Sequence, residues 1–216
     1  TFSFSISLMD SSSENQPQPD SYLTLARQSE GLFKDRGSKF LYFSFPVRSE
    51  EEIKINLANL RKTYFDASHH CYAWVLGSDG AAFRANDDGE PNHSAGDPIL
   101  GQIRSKQLTN VLIVVVRYFG GTKLGVSGLI QAYKTSAKET LEQAQIIQKE
   151  ILQTLYIEFE YPNMNKIMRI IHENHLVILN QNQEMNCQMT LGVKENLIPK
   201  ILEAVQLVVT KSIIVS

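Results

Sequence analysis

Two cysteines, Cys71 and Cys187, are all the thiol chemistry that this sequence of 216 residues carries. They are too few and too far apart for a disulfide framework, and they suit a reducing compartment, the cytoplasm. Long apolar runs are missing as well. The longest extends from Val111 to Val116, far short of the roughly 20 residues that a membrane-spanning helix needs, so no membrane association is expected. The opening TFSFSISL lacks the charged segment and extended apolar core of a secretory signal. Thr1 is not an initiator; Met9 is the expected native start, which N-terminal sequencing of protein from its own host decides. A large excess of either charge is missing too. The net charge is −2, so no global field draws the chain onto nucleic acid or anionic lipid. Any anion site has to come from a local patch.

Several site signatures are also absent. There is no paired C-x-x-C or H-x-x-x-H, so no zinc site is expected. There is no G-x-S-x-G elbow for a hydrolase, no Walker A loop and no G-x-G-x-x-G. What is present is 43% apolar residues, enough for a sizeable core.

Residues 1–20 are polar and aperiodic over MDSSSENQPQPD and read as a disordered tail. Order is expected from about Tyr22. Lys39–Val47 reads as a strand that ends at Pro46. Ser49 and Glu52 form a capping box, followed by a helix with Ile53, Leu57, Leu60 and Tyr64 on one face. His70–Gly77 is a second strand, Ser78-Asp79-Gly80 a turn, and Ala81–Ala85 its hairpin partner. Asn86–Gly96 is a polar loop. Asp97-Pro98 reads as an N-cap with proline at the first helical position. Val111–Arg117 is a fully buried strand by its unbroken β-branched run. Ser127–Gln145 is a long helix with Ile130, Tyr133, Ala137, Leu141 and Ala144 on one face.

The pattern restarts after Lys149. Ile151–Tyr161 alternates as a strand and Pro162–Asn174 reads as a helix. Leu176–Asn182 and Met185–Val193 are strands, Lys194–Val205 is a helix and Leu207–Val215 a last strand. That is βαββαβ, the ferredoxin-like order. The fold class is therefore α+β, with one domain over residues 21–149 and a second over 150–216.

Two stretches carry the candidate chemistry. In VVVRYFGGTKLGVSGLIQAY, Val114 to Tyr133, a buried strand ends in Arg117, Tyr118 and Phe119. Gly120, Gly121, Lys123, Gly125 and Ser127 then lead into a helix. Backbone N–H groups and a helix N-terminus converge in such a turn, which suits an anion, and Lys123 and Arg117 add charge. The same glycines equally serve a tight strand-to-helix turn that packs closely. Strand geometry puts Arg117 at the sheet edge or loop rim and turns Tyr118 and Phe119 to opposite sides, leaving one free to stack on a base.

The second stretch is split. Within Ser68-His69-His70-Cys71-Tyr72, His69 and Cys71 share one strand face and His70 takes the other. In Asp87-Asp88-Gly89-Glu90-Pro91, the carboxylates could hold Mg²⁺ through water or fold back to cap their own backbone as an Asx-type turn. His69, His70, Asp87, Asp88 and Glu90 are thus the acid–base or metal candidates.

SHHCYAW, DDGEP…AGDPIL and above all RYFGGTKLG, Arg117–Gly125, resemble the IMPACT family in its bacterial YigZ-type, two-domain form. The resemblance covers Tyr22 to the C-terminus. It implies a first domain folded like domain 2 of ribosomal protein S5 and a ferredoxin-like second domain, a pairing similar to domains IV and V of elongation factor G. Where relatives often carry arginine this sequence has Asp97 and Gln131, and Ser127 stands where glycine is frequent. The family implies a link to translation.

Three functions compete. The chain is a translation-associated RNA- or ribosome-binding or regulatory protein; or an enzyme on a phosphorylated small molecule or nucleotide; or a module that binds a translation-related protein. No catalytic residue is assigned, no cofactor is expected, and the reading leans away from an enzyme.

Overall fold

The computed structural model describes residues 20–183 and 186–215. The tail expected over residues 1–20 therefore lies outside the described residues, Asp20 excepted, as does Met185.

A five-stranded antiparallel sheet organises the first part. Its strands are β2 (Ser29–Asp35), β3 (Ser38–Pro46), β4 (His69–Leu76), β5 (Ala82–Asn86) and β6 (Val111–Tyr118). Their order is β2-β3-β6-β4-β5, so the apolar run of β6 sits in the centre. Its alternating side chains serve two cores. Val111, Ile113 and Val115 pack beneath α2 (Gly96–Ser105) and α3 (Gly125–Gln143), with Ile99, Ile103, Tyr133 and Ala137. Leu112, Val114 and Val116 pack on the opposite face, beneath α1 (Glu50–Thr63), with Ile53, Leu57 and Leu60. Two covered faces explain why the run has no polar alternation.

The sequence reading missed two features. Strand β2 lies at the sheet edge and carries charges, so it lacks an apolar run. A two-stranded antiparallel ribbon joins β1 (Ser21–Leu25) to β7 (Ile146–Glu150). The Ile151 N–H donates to the Asp20 carbonyl at 2.7 Å and closes one end of it.

One detail of the helices differs from expectation. Ile130 is 38% exposed, and the buried stripe of α3 runs through Leu129, Tyr133, Ala137 and Leu141 instead. That stripe begins one residue earlier than read, which turns Ile130 outward by one helical step. At α1 the expected cap is present: Ser49 Oγ accepts from the Glu52 N–H at 3.2 Å, and Glu52 Oε2 accepts from the Arg48 N–H at 2.7 Å.

The second part has the element order read from the sequence. It comprises β8 (Leu152–Glu160), α4 (Met164–Glu173), β9 (Val177–Gln183), β10 (Asn186–Lys194), α5 (Ile198–Val205) and β11 (Lys211–Val215). The sheet is antiparallel in the order β11-β8-β10-β9. Its core, with Leu155, Ile157, Phe159, Ile167, Met189 and Ile201, draws on no residue of the first part.

Candidate functional site

Arg117 is not at a rim. It occupies the next-to-last position of the central strand, between Phe40 of β3 and His69 of β4, and is 5% exposed. Its side chain shares the face of Val115, towards α2 and α3. A charge there needs a partner, and Glu90 supplies it: Arg117 Nη1 donates to Glu90 Oε1 at 2.5 Å. Arg117 Nη2 lies 3.4 Å from Ser38 Oγ, while its Nε has no partner among the described residues. The Tyr133 hydroxyl, fully buried on α3, also donates to Glu90 Oε1, at 2.8 Å. The loop before α2 is thereby fastened onto the sheet.

The five acid–base candidates do not converge. His69 Nδ1 lies 2.8 Å from the Asp88 carbonyl; since a carbonyl only accepts, that nitrogen carries the proton. Nε2 then faces Glu90 Oε1 at 3.8 Å. His70 takes the opposite strand face, as expected. Burial pushes its pKa down, against the opposing pull of Asp88. Asp88 serves the α1 side: Oδ2 accepts from the His70 N–H at 2.7 Å and Oδ1 from Arg61 at 3.1 Å. Cys71 is buried beside Tyr133, and burial raises its thiol pKa far above the usual range, so it is inert at neutral pH. Among the described residues no three His, Cys, Asp or Glu side chains gather as a metal site.

Asp87 corrects the reading of α2. Asp97 is not the N-cap; that position is Ala95, with no side-chain bond of its own. The cap comes from Asp87, whose Oδ1 accepts from the Ala95 and Gly96 N–H groups at 2.9 and 2.8 Å and whose Oδ2 accepts from His93 N–H at 2.9 Å. Burial pushes its pKa up, but those three donors outweigh burial and leave it below the ordinary carboxylate value. Asp97 instead bonds the His93 ring at 2.6 Å. Asp87→Ala should cost about 1–2 kcal/mol at neutral pH, as lost caps do. A depressed pKa gives stability that is present above the unfolded pKa and lost as pH falls through the folded one. The difference from wild type, followed by urea denaturation, should therefore shrink in acid.

The glycine loop crosses the end of the sheet. Tyr118 faces α1 and donates its hydroxyl to Asp66 Oδ1 at 2.7 Å, which pushes its pKa up to about 12. Phe119 goes the other way and is 51% exposed, with the Arg117 guanidinium 5.7 Å from its ring. Gly120 lies against the β2–β3 turn, where a Cβ would meet the Gly37 carbonyl carbon at 1.9 Å, and its N–H donates to Ser38 Oγ at 3.2 Å. Gly121 and Gly125 have φ of 85° and 72° in open space, the left-handed region that glycine adopts without strain. Lys123 is exposed, and so is Ser127 in the first turn of α3. No side chain caps that helix.

These parts line an open cavity of about 300 Å³ formed by Glu90, Pro91, Arg117, Phe119, Lys123, Leu124, Gly125, Val126 and Leu129. It joins the two stretches that the sequence kept separate, although Glu90 is the one acid–base candidate on its wall. With Arg117 and Glu90 matched, Lys123 gives the cavity its net positive charge. Tyr133 and Ser38 were missed as partners of the Arg117–Glu90 pair: Tyr133 reads as a core residue by its helical spacing, and nothing local marks Ser38.

Comparison with known proteins follows these features. The Impact N-terminal domain model matches residues 36–141. The IMPACT family member YvyE of Bacillus subtilis is 30% identical over 175 residues, covering 81% of each chain. YigZ of Escherichia coli, also named an IMPACT family member, is 32% identical over 149 residues, covering 68% of this chain and 73% of its own. A crystal structure of a hypothetical protein superposes with a TM-score of 0.69 at 26% identity, over 87% of this chain and 93% of the other. The shared length, the matched domain and the RYFGGTKLG loop within it make this chain a member of the IMPACT family.

Proposed function

We propose that this chain is a translation-associated RNA- or ribosome-binding protein whose contact surface is the glycine loop. The link to translation is what membership in the family implies. The observation that carries the reading is the exposure of Phe119 and Lys123 together, above the uncapped N-terminus of α3. A turn that only packs has no use for either. Lys123 with the N–H groups of Gly125 and Ser127 suits a phosphate, and Phe119 offers a face for a base. Gly120 and Gly121 bring the backbone close. Arg117 and Tyr118 support the loop from beneath.

In this reading the first domain has the fold of domain 2 of ribosomal protein S5, the second is ferredoxin-like, and the pair resembles domains IV and V of elongation factor G. The domains meet near Lys149, at the end of β7. A fragment of residues 20–151 should melt cooperatively on its own, since its two clusters of core residues are complete within it. The remainder is of the size that is marginal alone, as domains of roughly 60 residues are. Failure of the larger fragment to melt cooperatively would move the boundary.

Co-sedimentation with ribosomes tests the function. The full chain should pellet with ribosomes at low salt and be released at high salt. Lys123→Ala should pellet less while its melting temperature stays near wild type, as exposed substitutions usually leave it. Equal recovery of wild type and variant in the pellet would remove Lys123 from the contact. Absence of both from the pellet would leave ribosome binding without support.

A further inference from the structure

We infer that the cations beside the β2–β3 turn carry the backbone of a single-stranded RNA onward from the glycine loop, with Lys34 and Lys39 each taking one phosphate. This rests on the RNA-binding reading above and extends its contact across the end of the sheet.

The turn concentrates positive charge in a chain that has no net excess of it. The six residues from Lys34 to Lys39, KDRGSK, hold three cations and one acid. Strand register then sets the two lysines against each other. Lys34 of β2 lies directly opposite Lys39 of β3, and Lys39 lies opposite Tyr118 of β6. Such antiparallel neighbours have Cβ atoms roughly 5 Å apart, and like charges there repel. Both lysines are exposed, and neither has an ion pair among the described residues. The nearby acids are spent or misplaced. Asp35 takes the other face of the sheet, and Asp66 accepts from the Tyr118 hydroxyl. Glu30 is four residues back along β2, about 13 Å away at the rise of a strand.

Packing gives no reason for this row. Helix α1 covers the β6 part of that face and leaves the β2 part open. In the adjacent row, Leu32, Leu41 and Val116 lie opposite one another; Val116 is buried, Leu41 half-buried and Leu32 46% exposed. Lysine on an edge strand guards against edge-to-edge aggregation, which accounts for Lys34 on β2. Lys39 is on an interior strand, between β2 and β6, where no such guard is needed. Two unpaired cations side by side on an uncovered face are complementary to consecutive phosphates. Continuity selects a polynucleotide. Gly120 lies against Gly37, so the lysine row and the Phe119–Lys123 stretch meet at one turn. A polyanion leaving Lys123 passes Arg36, also exposed, on its way to Lys39 and Lys34.

The test uses the full chain and a labelled single-stranded RNA of about 12 nucleotides, within the span of single-strand sites, followed by anisotropy across salt concentrations. Lys34→Ala with Lys39→Ala should weaken binding and flatten the log–log salt slope by about 1.4, two contacts at roughly 0.7 each. The loss should be alike for RNAs of different sequence, since phosphate contacts carry no sequence information. Lys34→Glu places opposite charges across the strands, so it should raise the urea midpoint and yet weaken RNA more than Lys34→Ala does. A raised midpoint with wild-type RNA affinity and slope would overturn the proposal and leave the lysines as edge protection or as a seat for an acidic protein. If that occurs while Lys123→Ala is weakened, the glycine-loop reading stands without the track. If the lysine variants are weakened while Lys123→Ala binds as wild type does, the track stands and the glycine loop loses its role. A wild-type chain that binds no RNA ends both.

Discussion

Arg117→Ala is expected to destabilise the protein by about 3–5 kcal/mol, the loss typical when one member of a buried ion pair is removed. The reason is what remains: a Glu90 carboxylate that is 4% exposed, with the Tyr133 hydroxyl as its nearest donor. Glu90→Ala should cost a similar amount by stranding the guanidinium. Replacing both, as Arg117→Met with Glu90→Leu, should recover most of the loss, because apolar side chains of similar volume often substitute for a buried pair without penalty. Urea denaturation of the four proteins measures this double-mutant cycle. An Arg117→Ala protein with wild-type stability would return Arg117 to the exposed rim that its sequence position suggests. The cycle also bears on function, since weak RNA binding by Arg117→Ala would report a disordered loop rather than a lost contact.

Gly120→Ala should be damaging for a different reason. A Cβ at Gly120 would come within 1.9 Å of the Gly37 carbonyl carbon and 2.1 Å of the Ser38 nitrogen. Both are backbone atoms, so no side chain can swing aside, and either the loop or the β2–β3 turn has to move. A cost of at least about 3 kcal/mol follows, at the upper end of overpacking effects. Gly121→Ala provides the contrast. Its Cβ would meet nothing within 4 Å, and its φ of +85° carries only the roughly 1–2 kcal/mol of a left-handed residue with a side chain. If the two variants melt alike, close approach is not what fixes glycine at position 120.

The sequence disclosed the parts of this molecule whose causes are local. The β-branched run of β6, the Ser49 cap of α1 and the turn between β4 and β5 each lie within a few residues and came out as read. So did the βαββαβ order after Lys149. The parts that misled have distant causes. Arg117 at the end of a strand looks exposed until the fold is known, because the loop that carries Glu90 and Tyr133 of α3 close over its side chain. Its partner Glu90 arrives from a polar loop with no local mark of burial. Asp97 before Pro98 has every local attribute of an N-cap, yet the loop folds back and Asp87 takes that role. Strands β1 and β7 pair across almost the whole first part of the chain, and neither has a long apolar run of its own. The exposed residues of the glycine loop, Phe119 and Lys123, were legible in the sequence, but the cavity beside them was not, since Glu90 and Leu129 reach it only through the fold.

The salt dependence of binding to a single-stranded RNA tests the central claim most directly. The logarithm of affinity should fall linearly with the logarithm of salt concentration, and Lys123→Ala should both weaken binding and flatten that slope by roughly 0.7, the amount for one lost single-strand phosphate contact. A folded Lys123→Ala protein with the wild-type slope and affinity would contradict the account and leave the glycine loop as a device for packing α3 onto the sheet.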